Sequence, residues 1–102
     1  MTIEFYIEKS NRPRKKWRIT NNYNRQVIYI GDSQYEDFLQ HQNESRKINY
    51  LRRHKPTEDW TRKGMYTAGF WSRWLTWNKP TLKEAIEDIE KKFGFSVKLK
   101  VS

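Results

Sequence analysis

Thr67-Ala-Gly-Phe-Trp-Ser-Arg-Trp-Leu-Thr-Trp-Asn78 is the stretch around which the rest of this chain must be arranged. It holds three of the five tryptophans, with Phe70 and Leu75 between them. Phe70, Trp74 and Trp77 fall at i, i+4 and i+7, and Trp71, Leu75 and Asn78 repeat that spacing one position later. Two adjacent stripes at the helical period predict one helix with a broad apolar face. Thr67 is placed to cap its N-terminus, with Tyr66 set to pack on Trp71. Lys79-Pro80 ends it, because a residue before proline is pushed out of the α region. Aromatic rings bury about 150–250 Å² each, a gain comparable with ordering a dozen backbone residues at about 1–2 kcal/mol apiece. Such a helix is stable only when docked. Phe70, Trp71, Trp74 and Trp77 are therefore read as core in preference to an exposed stacking or docking face.

Working outward, Thr81 with Glu84 forms a capping box, followed by Leu82, Ile86, Ile89 and Phe93 as a narrow apolar stripe. Ile86 and Ile89 are its core positions. Gly94 stands where a helix C-terminus favours a left-handed residue, with Phe95 folding back on Ile89. Residues 95–101 then alternate as a strand, with Phe95, Val97, Leu99 and Val101 inward and Lys98 and Lys100 outward. On the other side, residues 44–54 predict a helix with sparse apolar positions (Ile48, Tyr50, Leu51), ended by Lys55-Pro56. Ser33 and Glu36 suggest a helix starting near Gln34, with Tyr35, Phe38 and Leu39 on its apolar side and a break at residues 41–43. Thr57-Glu58-Asp59-Trp60 resembles a further helix start, and Gly64 interrupts it.

The N-terminal third reads as strands. Residues 2–8 alternate, with Ile3, Phe5 and Ile7 on one side. Residues 16–20 place Trp17 and Ile19 together, Asn21-Asn22-Tyr23-Asn24 has turn chemistry, and residues 25–30 form a third strand closed by Gly31-Asp32. The expected fold is α+β in a single domain over residues 1–102. It is a small antiparallel sheet, an N-terminal three-stranded meander plus the C-terminal strand, covered on one face by three to four helices.

Composition narrows the classes of function. At 35% apolar but 16% aromatic, a few large side chains carry the core, unlike the aromatic-poor composition of disordered chains. There is no cysteine, which removes disulfides, thiolate nucleophiles and thiolate zinc sites. No apolar run reaches bilayer-spanning length, and the first residues do not read as a signal peptide, so neither membrane insertion nor secretion is expected. The 21 Lys and Arg against 12 Asp and Glu give a net charge of +9, which predicts affinity for polyanions.

Catalytic and metal constellations are absent as patterns. Tyr29-Ile30-Gly31-Asp32-Ser33 looks like the second half of a GIY-YIG nuclease signature, but no Gly-Ile-Tyr strand precedes it, and a strand ending in a glycine turn explains it. His41 with Asp37 or Glu44 falls short of a metal-ligand set, and His41 and His54 read as polar surface residues. The paired acids Glu36-Asp37, Glu58-Asp59 and Glu87-Asp88 diverge by about 100° on a helix and make no acid–base dyad. No phosphate loop or nucleophile elbow is present, so an enzyme, a cofactor or a resident metal is not expected.

The basic runs are the functional signal. Lys9, Arg12, Arg14, Lys15, Lys16 and Arg18 are six cations in ten residues without an acid. Arg46, Lys47, Arg52, Arg53 and Lys55 make a second patch that continues into Arg62 and Lys63. Both are candidate polyanion sites. Trp17 lies between Lys16 and Arg18, compatible with base stacking but read here as core. Arg73 interrupts the tryptophan helix and has three options: lying across Trp77, reaching solvent, or pairing with Glu58 or Asp59.

Tyr35-x-Asp37-Phe38, Tyr50-Leu51-x-Arg53-His54, Glu58-Asp59-Trp60 and the block from Thr67 through Asn78 to Lys79-Pro80-Thr81-Leu82 resemble a small basic family of large double-stranded DNA viruses and their marine relatives. The resemblance covers residues 35–89, and Thr76 stands where that family has leucine. It implies a viral setting without implying an activity. The leading expectation is a non-enzymatic structural virion protein, a minor capsid or shell-associated component. Its partners would be larger shell proteins or packaged DNA, in the virion or the infected-cell interior. The alternative is a sequence-tolerant nucleic-acid-binding accessory protein; a GIY-YIG-like nuclease is the remote option.

Overall fold

The computed structural model describes residues 2–100, so Val101 lies outside the described residues. Three strands, β1 (Glu4–Lys9), β2 (Lys15–Asn21) and β3 (Ile28–Asp32), form the antiparallel N-terminal meander. A fourth, β4 (Ser96–Leu99), completes a sheet of order β3-β2-β1-β4. The fold is α+β. The C-terminal strand pairs parallel to β1, with Phe5 opposite Val97, so the sheet is mixed where an antiparallel one was expected. No hairpin joins these two strands; they are linked through all the intervening helices, the long crossover that parallel pairing requires.

Alternation sets the two faces of the sheet. Phe5, Ile7, Ile19, Ile28, Ile30 and Val97 point inward and are buried. The opposite face is polar and mixed in sign. Glu8 pairs with Arg18 directly across β1 and β2, Tyr6 donates its hydroxyl hydrogen to Glu4 at 2.9 Å, and Lys100 sits 4.8 Å over the Tyr6 ring. Leu99, expected inward, is 43% exposed because β4 is an edge strand whose last residue runs past the helical cover.

Helices α1 (Phe38–His41), α2 (Glu44–His54), α3 (Ala68–Trp71) and α4 (Leu82–Phe93) follow the meander. The helix predicted from Gln34 begins only at Phe38, because Asp37 takes the N-cap position while Gln40 reaches back to the Asp37 N–H at 3.0 Å. The start predicted at Thr57 is instead a single 3₁₀ turn at Lys55–Thr57. The Asp59 carboxylate accepts from the Thr61 N–H and folds the following segment into an Asx turn. Gly64 sits beneath this turn, where an added Cβ would stand 2.0 Å from the Asp59 carbonyl oxygen.

In the tryptophan segment Thr67 caps as expected, accepting from the Phe70 N–H at 3.3 Å. The regular helix then lasts one turn, and Ser72–Thr76 form a π turn closed by the Trp77 N–H on the Ser72 carbonyl at 3.0 Å. The Thr76 hydroxyl donates to that same carbonyl at 2.8 Å, which lets Thr76 be only 1% exposed. One extra residue per turn breaks the two predicted stripes apart. Phe70, Trp71, Leu75 and Asn78 are buried, whereas Trp74 and Trp77 are half-buried on the flanks. Trp71 is the largest fully buried side chain; its indole N–H donates to the Met65 carbonyl at 2.8 Å and its ring lies 4.8 Å from Phe5. Tyr66 packs on Phe5 as well, at 5.9 Å.

In α4, Ala85 and Ile89 are buried, while Leu82, Ile86 and Phe93 pack around the core and stay half-exposed. Thr81 caps this helix and Gly94 ends it at φ +80, as predicted. Phe95 then enters the core against Phe5 at 4.8 Å and Phe93 at 5.8 Å.

Candidate functional site

The cations divide by what their long side chains can reach. At the tip of the first hairpin, Ser10 accepts from the Arg12 N–H at 2.9 Å and the Lys15 N–H returns to the Arg12 carbonyl at 3.2 Å. This tight turn leaves Lys9, Arg12, Arg14 and Lys15 exposed, and none has a carboxylate within ion-pair distance among the described residues. Arg12 rests 4.1 Å over the Tyr29 ring, whose hydroxyl donates to Asn11 at 2.9 Å. The tip is a cationic knob on a rigid base.

Lys16 and Arg18 belong elsewhere, against expectation. Lys16 runs under Gly31 (φ +77) and its ammonium donates to Asp37 at 3.2 Å, to the Tyr35 carbonyl and to Gln40. Asp37 is 4% exposed, so this pair ties the meander to α1 and leaves Lys16 no free valence for a phosphate. Arg18 is held by Glu8 on the sheet face, and that contact, with a hydrogen bond donated to the Tyr29 oxygen, raises its pKa further. The tyrosine–glycine–aspartate string that suggested a nuclease half-signature is the end of β3 and the turn over Lys16. Trp17 is half-buried against the core edge.

The second patch splits in the same way. Lys47 donates to the Asn78 carbonyl at 2.6 Å and lies 4.8 Å over Phe38, and desolvation there lowers its pKa. Arg62 is likewise tied down, its Nε donating to the Phe93 carbonyl at 3.0 Å. Arg46 is loosely paired with Glu36 at 3.6 Å, both side chains at least half exposed. Arg52, Arg53 and Lys55 are exposed and unpaired among the described residues.

A column of rings mounts α2 on the tryptophan segment. Tyr50 stacks on Trp77 at 4.3 Å and 3° between planes, and His54 stacks on Tyr50 at 4.2 Å. His41 lies 5.3 Å from Trp77, tilted to it by 57°. Trp77 is thus the seat of α2. Burial first, and the charge of Glu58 second, push the Tyr50 phenol well above its ordinary value. Burial also lowers the His41 pKa; its Nδ1 accepts from the Asn43 N–H at 2.9 Å, leaving Nε2 enclosed without a partner. The other histidine, His54, lies 3.4 Å from Glu58.

Three concavities border these cations, one of them about 320 Å³ and lined by Lys9, Lys16, Trp17, Asp37, Leu39 and Gln40. A cleft of about 420 Å³ runs between the meander and α2, with Lys15 and Arg53 on its walls and the Asp32, Glu36, Asp37 and Glu58 carboxylates among them. It brings one exposed cation of each patch, Lys15 and Arg53, to the same cleft. A smaller groove of about 300 Å³ is lined by Leu51, Arg52, Lys55, Trp60, Arg73 and Trp74, without a carboxylate. Arg73 stacks at 4.2 Å over Trp74 and donates to the Trp77 carbonyl at 2.9 Å; burial lowers its pKa. Of the three options for Arg73, reaching solvent is realised in part, at the groove; Trp77 offers its carbonyl and not its ring, and the stacked ring is that of Trp74. Among the described residues no group of three or more His, Asp or Glu side chains is placed to hold a metal, and no helix is long and apolar enough to cross a membrane.

Residues 6–54, from β1 through α2, match the profile of a family of unknown function (DUF5754). That span includes the hairpin knob and α2 but not the tryptophan segment. No curated protein and no solved structure matches the chain.

Proposed function

We propose that this chain is a non-enzymatic domain that binds the phosphate backbone of nucleic acid with little regard to sequence. The observation that carries the reading is the set of exposed cations without carboxylate partners among the described residues: Lys9, Arg12, Arg14 and Lys15 on the knob, Arg52 and Arg53 on α2, and Lys55 just beyond it. Exposed, unneutralised cations bind polyanions through counterion release, and the absence of a base-reading constellation favours sequence tolerance. Anisotropy titration of a labelled duplex at several salt concentrations tests it. The triple substitution Arg12→Ser, Arg14→Ser and Lys15→Ser should flatten the log–log salt slope by about 0.9 for each phosphate no longer neutralised, with the melting temperature unchanged. No binding at low salt would end the proposal.

The resemblance of residues 35–89 to a viral family favours a setting for this activity. There the domain is a shell-associated virion component whose cationic side meets packaged DNA or acidic shell proteins. Copy counting in purified particles tests that placement, and absence from them removes it.

A further inference from the structure

We propose that the groove between α2 and the tryptophan segment is a stacking subsite for one base of single-stranded nucleic acid, with Trp60 as the platform and Arg52, Lys55 and Arg73 receiving the adjoining phosphates. The inference rests on the nucleic-acid reading above and deepens it.

Three features of the groove point the same way. Trp60 is half-buried and is held by two hydrogen bonds, its indole N–H donating to Glu58 at 3.1 Å and its carbonyl accepting from the Trp74 indole at 2.9 Å. Among the described residues no aromatic ring stacks on it; Arg73 lies over it at 5.6 Å, farther off than the 4.2 Å at which it covers Trp74, which also carries Lys92 at 5.0 Å. A ring fixed in orientation and not paired with another ring is a pre-organised platform.

Charge gives the second feature. Arg73 is a half-buried guanidinium with no carboxylate in ion-pair distance among the described residues. One of its N–H groups is used on the Trp77 carbonyl, and the others are neither bonded nor shut off from solvent. Arg52 and Lys55 lie on the same rim. An uncompensated guanidinium beside an indole is complementary to an anion attached to a planar ring, which describes a nucleotide.

Size is the third. A volume of about 300 Å³ is at the lower end for a ligand pocket and suits one nucleotide; a duplex keeps its base faces stacked and offers nothing to Trp60. An acidic peptide would satisfy the cations but leave the ring unused.

The chain labelled with fluorotryptophan gives five fluorine resonances, one per indole, without altering the fold. Adding oligothymidylate should move the Trp60 signal, while a duplex of equal length should leave it in place. Trp60→Leu should weaken oligothymidylate binding about tenfold and leave duplex affinity unchanged, since stacking one base is worth about that factor. Arg52→Ser with Lys55→Ser, which touches no buried group, should weaken single-strand binding and reduce its salt dependence. If the Trp60 resonance stays fixed while both nucleic acids bind in a salt-dependent way, the subsite is refuted and phosphate binding stands. If neither binds at low salt, both readings fall. Displacement of oligothymidylate by polyglutamate at equal charge, with the same Trp60 shift, would reassign the groove to acidic peptides.

Discussion

Lys15 and Lys16 are neighbours in one basic run, and the structure gives them opposite jobs. Replacing Lys16 by serine would leave the Asp37 carboxylate, whose side chain is 6% exposed, without its cation, and would free the Tyr35 carbonyl and Gln40 as well. Breaking one partner of a buried pair costs about 3–5 kcal/mol, and the Lys16 side chain, at 17% exposure, retains some water, so the lower end of about 3 kcal/mol applies. For a domain of this size that is a fall in melting temperature of about 12–24 °C. Lys15→Ser touches nothing buried and should stay within about 0.5 kcal/mol of the parent while losing affinity for duplex. Differential scanning calorimetry of both variants, with Lys16→Met/Asp37→Asn as the compensated pair, separates the roles. The double variant should regain more than half the loss, because the asparagine keeps the cap without a charge to neutralise. Equal melting temperatures for the two serine variants would refute the division of the basic run into knob and tie.

Gly64→Ala should cost more than about 2 kcal/mol in urea unfolding, since the new methyl group meets the Asp59 carbonyl at 2.0 Å, whereas Gly94→Ala meets no atom and should cost about 1 kcal/mol from its positive φ alone. Tyr50→Leu removes the stack on Trp77 and should speed hydrogen exchange of the α2 amides, at a global cost of about 1 kcal/mol, while the sheet amides stay protected. Burial holds the His41 pKa below its ordinary 6.5, so near that value the unfolded chain binds more protons than the folded one. Its contribution is therefore complete above about pH 6.5 and is lost as the pH falls through the lower folded value; His41→Gln should flatten that part of the stability profile measured by urea titration.

The elements that local chemistry specifies are legible from residue order alone. Thr81 with Glu84 and Gly94 bracket α4, Thr67 caps α3, and the alternation of Phe5 with Ile7 and of Phe95 with Val97 marks strands, because caps and period depend on near neighbours. The π turn is not legible. It arises where Ser72 accepts from both Trp77 and Thr76, and a period count assumes an unbroken helix. Nor can sequence divide the cations. A lysine stem spans several ångströms, so whether it ends on a buried aspartate, as at Lys16, or in water, as at Lys15, depends on what the fold brings within reach. Trp60 reads in the sequence only as part of a helix start; its place beside Arg73 and Trp74 follows from the packing of three separate segments.

Because β4 lies beside β1, the first strand of this domain must wait for its last strand to be synthesised. Phe5 is synthesised before Phe95 and Val97, which pack beside it, so closing the interior joins segments separated by every other element of the fold. The domain should therefore assemble in one late step, with its aromatic interior accessible to chaperones and proteases throughout translation.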